Sequence, residues 1–270
     1  MTELPDWVPE GVDIDVPNSA RMYDYMLGGY HNFAVDREYA DQMEKLAPGA
    51  TAIVHANRAF VGRSVRWLVN AGVRQFLDIG SGIPTLGNVH ELAQSMAPES
   101  RIVYVDIDPV AVAHSKAILA GNPLAGALRA DLRHPADILA DPEVTGLLDF
   151  GQPMAVLFNS MLHFVPDDAE LGRILARVLA ALAPGSYVTI THGTEVRDWS
   201  EAQRGVGELL EDTPTKAFHL RGRDQLLAVL PGMEIVEPGI VPLTDWRPDQ
   251  QDEAGESTKP AMLALVARKP

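Results

Sequence analysis

Between residues 75 and 191, five short apolar runs alternate with stretches of helical periodicity, and the first four are closed by Gly80, Asp106, Asp131 and Asn159. Short β-branched runs separated by helical stretches predict βαβ units and a parallel sheet. Gln75 to Gly80 is the first strand, and Pro84 to about Ser95 the helix after it, with proline near the favoured first helical position. Arg101 to Asp106 is the second strand, followed by a helix from Pro109 to about Ala120, and a shorter run from Ala127 to Ala130 is the third. Met154 to Phe158 is the fourth. Asp167 with Glu170 three residues on forms a capping-box pattern that opens a helix reaching Leu182, and Tyr187 to Thr191 is the fifth strand.

On either side the pattern changes. Asn18 and Ser19 offer a helix start before Arg21 to Leu27, and Gly28-Gly29 supplies a stop. Tyr39, Met43 and Leu46 recur at helical spacing, and Thr51 to Asn70, ended by Gly72, reads as a longer amphipathic helix. Beyond the fifth strand come helices over Ser200–Leu210 and Arg223–Leu230, then runs over Met233–Val241 and Met262–Val266. The last two are expected to close the sheet as an antiparallel hairpin, since antiparallel neighbours do not need a long crossover. The expectation is an α/β fold: a seven-stranded, mostly parallel sheet with helices on both faces. Residues 1–72 would form a helical cap and residues 73–270 the main domain.

A chain of 270 residues, 46% apolar, is enough for one large core. Its 22 basic and 37 acidic side chains give a formal charge of −15, a field that repels phosphate backbones and argues against a nucleic-acid partner. Arg58, Arg63 and Arg66 are explained as one solvated helix face rather than a basic patch. The absence of cysteine removes disulfides, thiolate nucleophiles and cysteine-ligated zinc, and agrees with a reducing compartment. No apolar run approaches the roughly 20 residues of a membrane span, and the first ten residues are acidic and proline-bearing, so a cytoplasmic protein is expected. A homo-oligomer is left open.

In open α/β sheets ligands bind beyond the carboxyl ends of the strands, where strand order reverses. After the first strand, Gly80 and Gly82 flank Ser81 and let backbone approach a ligand closely, while the next helix presents free N–H groups to a carboxylate. By itself such a turn serves equally as a tight strand-to-helix connection. Asp106 follows Gly82 by 24 residues, the spacing at which an acid accepts hydrogen bonds from both hydroxyls of a ribose. Asp131 and Leu132 offer a carboxylate and an apolar face suited to an adenine, and Asn159 and Ser160 put polar groups at the floor of the same crevice. A nicotinamide dinucleotide would want a third glycine where this chain has Thr85.

These residues resemble a known group. The chain is similar to class I S-adenosylmethionine-dependent methyltransferases, and more closely to a bacterial family, first described as a domain of unknown function, now named S-adenosyl methyltransferases. The resemblance rests on Asn18 to Gly29, Asn32-Phe33, Asn57-Arg58, Gln75 to Thr85, Val103 to Pro109, Ala130 to Arg133 and Leu162-His163-Phe164. The Tyr-Asp-Tyr-x-Leu-Gly-Gly stretch from Tyr23 is its most specific part. The resemblance implies a Rossmann-like domain binding S-adenosylmethionine, with S-adenosylhomocysteine as product. Gly80, Ser81 and Gly82 would face the methionine part, Asp106 the ribose with Ile107 beside it, and Asp131 and Leu132 the adenine. Asn159 and Ser160 would flank the sulfonium or the methionine part, and the N-terminal segment would fold over the cofactor with Tyr23 and Asn32 touching it. Ile83, where many relatives carry leucine, keeps an apolar contact.

Methyl transfer from a sulfonium is an in-line displacement, so positioning can carry most of the catalysis and a base is needed only where the acceptor must lose a proton. His163 is the first candidate for that base and His192 the second, although a histidine in a Leu-His-Phe run is more often a packed structural residue. Tyr23, Tyr30 and Trp199 could line an aromatic acceptor pocket; ordinary burial also accounts for each. No spacing of histidines and carboxylates suggests a metal, and neither Gly-x-Ser-x-Gly nor a P-loop occurs. The expected activity is methylation of a small or medium-sized acceptor. A cofactor-binding sensor without turnover and a nicotinamide-dependent oxidoreductase are the alternatives.

Overall fold

Helix α1 (Ser19–Met26) starts where the sequence offers a cap: the Asn18 side chain accepts the Ala20 N–H at 2.8 Å. The computed structural model describes residues 8–9, 12–85, 87–196, 200–214, 218–249 and 261–270. Helix α2 (Ala34–Leu46) follows a turn, its first amide ring closed by the Asp36 carboxylate, which accepts the Phe33 N–H at 2.8 Å. Helix α3 (Ala50–Asn70) is the longest.

The alternating region then builds the sheet. Strands β1 (Gln75–Ile79), β2 (Arg101–Asp106) and β3 (Ala125–Arg129) are joined by helices α4 (Val89–Met96) and α5 (Pro109–Ile118). Helices α6 (Pro135–Ala140) and α7 (Pro142–Thr145) lead to β4 (Ala155–Asn159), and α8 (Asp168–Ala181) leads to β5 (Tyr187–Gly193). Helices α9 (Ser200–Leu210) and α10 (Arg223–Ala228) precede the short strands β6 (Glu234–Ile235) and β7 (Val241–Pro242), and β8 (Met262–Arg268) ends the chain. The spatial order is β3-β2-β1-β4-β5-β8-β6, with β7 also on β8. β1 to β5 run parallel, and β8 lies antiparallel to β5, β6 and β7. Strand order reverses between β1 and β4, which places the ligand crevice at their carboxyl ends.

Side chains alternate across a strand, and that parity builds a core on each face. Leu77, Val156 and Val188 pack with α8 residues such as Leu171 and Leu175. Phe76, Ala155 and Leu157 pack with Phe60, Val65 and Leu68 of α3. Thus α3, although N-terminal to the sheet, is one of its covering helices. The same parity sends Asp78, Asn159 and Thr191, at the strand tips, to the α3 side.

Three details depart from the sequence expectation. Among the described residues the sheet has eight strands rather than seven, because the 233–241 run is broken: Gly239, at φ +100°, donates its N–H back to Val236 O at 2.9 Å, directly after Pro238, which has no N–H to give. The helix expected from Pro84 begins only at Val89, with the Glu91 carboxylate accepting the Asn88 N–H at 3.1 Å. The intervening residues Gly82 to Thr85 form a loop, since Ile83 packs under Phe33 and Val110 and Thr85 is bonded to α1. Helices α6 and α7 lie in a stretch with no sequence assignment. Among the described residues no helix is long and apolar enough to cross a membrane.

Candidate active site

A cavity of about 340 Å³ opens at the carboxyl ends of β1 to β5 and runs outward beneath α1, α2 and α9. The loop after β1 forms its first wall. Gly80, at φ +74°, donates to Val105 O at 2.8 Å, and a methyl group on it would stand 2.8 Å from Met161 Cβ, so only glycine lets the β1 and β4 loops approach this closely. Ser81 and Gly82 continue the wall. The Asp106 carboxylate, at the tip of β2, accepts the Gly82 N–H at 2.7 Å and the Asp108 N–H at 2.9 Å, which orients it toward the cavity. Ile107 lies beside it, half-exposed and lining the same space.

Two carboxylates here are held above their ordinary range. Burial, opposed by Arg58 and reinforced by Asp106, pushes Asp78 up to about 7. Burial, opposed by backbone N–H donors, pushes Asp106 up to about 6. Arg58 reaches the cavity from α3 and donates to Asn88 Oδ1 at 3.2 Å. At the β3 end, Asp131 and Leu132 line the cavity. The Asp131 carboxyl, despite its desolvation, is held below the ordinary range by the Arg133 guanidinium, whose Nη2 is 2.7 Å away.

The floor is a chain of hydrogen bonds between the strand tips and the helices above. Ser160, at φ +56°, donates its N–H to Thr191 Oγ1 at 2.8 Å; the Thr191 hydroxyl donates to Asn57 Oδ1 at 2.7 Å, and Asn57 Nδ2 donates to the Tyr23 hydroxyl at 2.8 Å. Tyr23 in turn donates to Val54 O. Asn159 accepts from Thr189 at 3.2 Å, while its Nδ2, buried at the cavity floor, has no partner among the described residues.

The N-terminal helices form the roof, latched by buried polar groups. Asp24 accepts hydrogen bonds from Thr85 Oγ1 at 2.5 Å, from His31 N–H at 2.9 Å and from Asn32 Nδ2 at 2.9 Å. Arg21 is buried between Asp36 at 3.5 Å and Asp108 at 3.6 Å, tying α1 to α2 and to the start of α5. The specific N-terminal motif is therefore largely a set of latches onto the loops at the strand tips.

His163 sits on a short 3-10 turn, Leu162–Phe164, and its ring lies at the cavity wall, 4% exposed, with Nδ1 unpartnered. Burial first, then the neighbouring His192 and Arg221, hold it well below the ordinary imidazole range, so the ring is neutral. Arg221 fixes this turn. Fully buried, it donates to Leu162 O, Val165 O and Pro166 O and pairs with Asp168 at 2.7 Å.

Most sequence candidates thus converge: those on the tips of β1 to β4, with Tyr23 and His163, share one cavity. Asn32 does not. Its amide is committed to Asp24 and Gly29 O, its carbonyl oxygen to Arg37, and it stands behind the latch rather than at the cavity wall. His192 is likewise spent: Nε2 faces Arg221 at 3.2 Å and Nδ1 faces Gly193 O at 2.8 Å, away from the cavity lining. Tyr30 is 85% exposed on the turn after α1, away from the lining of this cavity, and Trp199 lies outside the described residues. Sequence reading missed Asp78, Asn57 and Arg58. Asn57-Arg58 carried part of the resemblance without a role, and the place of Arg58 on an amphipathic helix reads as solvent exposure until the α3-to-sheet packing is known.

With this geometry in place, the comparisons become informative. The S-adenosyl methyltransferase family matches residues 5–270. The chain belongs to that family. Among solved structures it is similar to a candidate methyltransferase from Thermobifida fusca YX, at 36% identity and a TM-score of 0.91, covering 98% of this chain and 99% of that one. It is also similar to a protein of the DUF574 family from Streptomyces avermitilis MA-4680, at 38% identity and a TM-score of 0.89, covering 96% and 100%. Human N-acetylserotonin methyltransferase in complex with S-adenosylmethionine shares the fold at 15% identity and a TM-score of 0.50, covering 94% and 63%. No curated protein matches. The family makes S-adenosylmethionine the cofactor, and neither the sensor nor the oxidoreductase alternative finds support.

The residues present fit that cofactor. An acid ends β2, Gly82 in the β1 loop leaves open space at the cavity wall where a side chain would stand, and the buried Asn159 Nδ2 lacks an acceptor at the floor. When bound, S-adenosylmethionine supplies an electrophilic methyl group on a sulfonium.

Proposed function

We propose that this chain transfers the methyl group of S-adenosylmethionine to a small or medium-sized acceptor in the cytoplasm. The observation that carries it is one cavity that joins the strand tips to a roofed chamber beneath α1, α2 and α9. Cofactor and acceptor would meet there in a water-poor space where orientation supplies much of the rate. Asp106 with Ile107 would hold the ribose side, and Asp131 with Leu132 the adenine. Gly80 to Gly82, Asn159 and Ser160 would enclose the methionine part. Asp78 and Arg58, opposite in sign and both at the cavity wall, would match its ammonium and carboxylate. Tyr23 would bear on the cofactor from the roof, and His163, held neutral, would accept the acceptor's proton or hydrogen bond.

On this reading the first 72 residues divide by role, α1 and α2 serving as a lid and α3 as part of the sheet's covering layer. The −15 formal charge supports a small-molecule acceptor over a nucleic acid, and the lack of cysteine agrees with a reducing compartment. The test is incubation of the purified chain with methyl-labelled S-adenosylmethionine and cell extract, followed by mass spectrometry. A labelled small molecule with matching S-adenosylhomocysteine is expected; S-adenosylmethionine binding with no product from any extract would contradict turnover.

A further inference from the structure

The far end of the cavity differs in chemistry from the cofactor end. Its charged lining side chains, Arg58, Asp78, Asp106, Asp131 and Arg133, all stand at the strand tips or facing them. Under the lid the walls are instead apolar: Met22 and Met26 of α1, Met43 of α2, Val206 and Leu210 of α9, with Phe218 at the side. Methionine-rich walls adapt to flat, irregular apolar shapes, and such a chamber would desolvate an ion without a partner at high cost. The polar groups near this end are mostly spent: Gln203 bonds Thr194 O at 2.7 Å and Val196 N–H at 3.2 Å, and the Tyr23 hydroxyl is engaged on both sides. His163 is the exception, nine-tenths buried, at the wall where the chamber meets the strand tips, with Nδ1 lacking a partner.

We infer that the acceptor is a neutral, largely apolar ring compound whose phenolic hydroxyl faces His163. This rests on the methyltransferase reading above and specifies its substrate class. With the ring proton on Nε2, the free Nδ1 accepts a hydrogen bond from a hydroxyl, whereas a carboxylate would then face an acceptor with an acceptor, and a protonated amine would bring an unmatched charge under the lid. Burial makes His163 a weak base, so the hydroxyl must yield its proton readily; a phenol, near pKa 10, does so more easily than an alkyl alcohol. In the transfer the phenolic oxygen forms the new O–CH3 bond as the C–S bond breaks and its electron pair returns to sulfur. The phenolic proton passes to the His163 ring and from there to solvent.

The test uses 2-naphthol, the anion 2-naphthoate and S-adenosylhomocysteine as calorimetric probes of the full chain. We expect 2-naphthol to bind, and 2-naphthoate to bind about tenfold or more weakly. Met43→Glu, at a half-buried site, should weaken 2-naphthol about tenfold while S-adenosylhomocysteine binds as before; Leu210→Gln should act in the same direction. With S-adenosylmethionine present, 2-methoxynaphthalene is expected by mass spectrometry. Equal or tighter binding of 2-naphthoate, or 2-naphthol binding that survives both substitutions, overturns the inference. S-adenosylhomocysteine binding without any 2-naphthol binding overturns it too, and leaves the methyltransferase reading intact. Failure of S-adenosylhomocysteine itself to bind removes that reading and this inference with it.

Discussion

Thr85 donates its hydroxyl to the Asp24 carboxylate across 2.5 Å, joining the loop after β1 to the first helix of the lid. The same carboxylate holds the turn after α1 through His31 and Asn32, so one buried side chain shapes the lid and docks it. Asp24→Ala leaves three donors without their acceptor. We expect a loss of about 3 kcal/mol in urea unfolding and about tenfold weaker S-adenosylmethionine binding. Unchanged stability and affinity would show that the latch does not hold the lid.

Arg58 gives a sharper contrast. If it meets the methionine carboxylate, Arg58→Ala should weaken S-adenosylhomocysteine by about 10- to 100-fold, in line with loss of a charged hydrogen bond of about 1.5–3 kcal/mol. Methylthioadenosine, which lacks the amino-acid arm, should bind the variant and the parent alike. Equal weakening of both nucleosides by calorimetry would mean that Arg58 acts on the structure instead.

The raised carboxylates set a pH dependence. Ligand-free Asp78 titrates at about 7 and Asp106 at about 6, both above the ordinary aspartate range. The cofactor's ammonium and ribose hydroxyls favour the charged forms, so binding must expel any protons these groups hold. Affinity should therefore be highest above pH 7 and fall as pH drops through 7 and then 6, by up to about tenfold per unit for each group. S-adenosylhomocysteine titrations between pH 8 and 5 would show it, and Asp78→Asn should remove the upper step. An affinity flat across that range contradicts these assignments.

His163, held well below the ordinary imidazole range by its burial, should add no limb of its own to the rate profile between pH 6.5 and 8. His163→Asn keeps polarity but cannot carry the proton. We expect kcat to fall about a hundredfold or more with cofactor affinity unchanged, read as S-adenosylhomocysteine release with 2-naphthol as acceptor. A retained kcat would reduce the ring to a wall of the chamber.

The strand tips were readable from the sequence because parallel strands announce their own ends: an apolar run stops at a glycine, acid or amide, and the fold gathers such ends into one crevice. What the sequence does not carry is which side of a helix meets that crevice. Arg58 and Asn57 on α3 face the cavity only because Phe60, Val65 and Leu68 press the helix onto the sheet, a tertiary fact absent from the helical period. Asn32 shows the opposite case: its place in a specific motif suggested ligand contact, whereas the structure commits its amide to Asp24. Pro84 looked like a first helical residue, but Thr85 is bonded to α1, and Asn88 and Glu91 open the helix instead. Pro238 and Gly239 split a strand that hydropathy alone reads as continuous.

The central claim is an adenosine site keyed by Asp106. Calorimetric titration of the parent chain and of Asp106→Ala with S-adenosylmethionine, with NADH in parallel, tests it most directly. The account predicts S-adenosylmethionine binding to the parent, no NADH binding, and affinity reduced about a hundredfold in a folded variant. Equal S-adenosylmethionine affinity in parent and variant would contradict it.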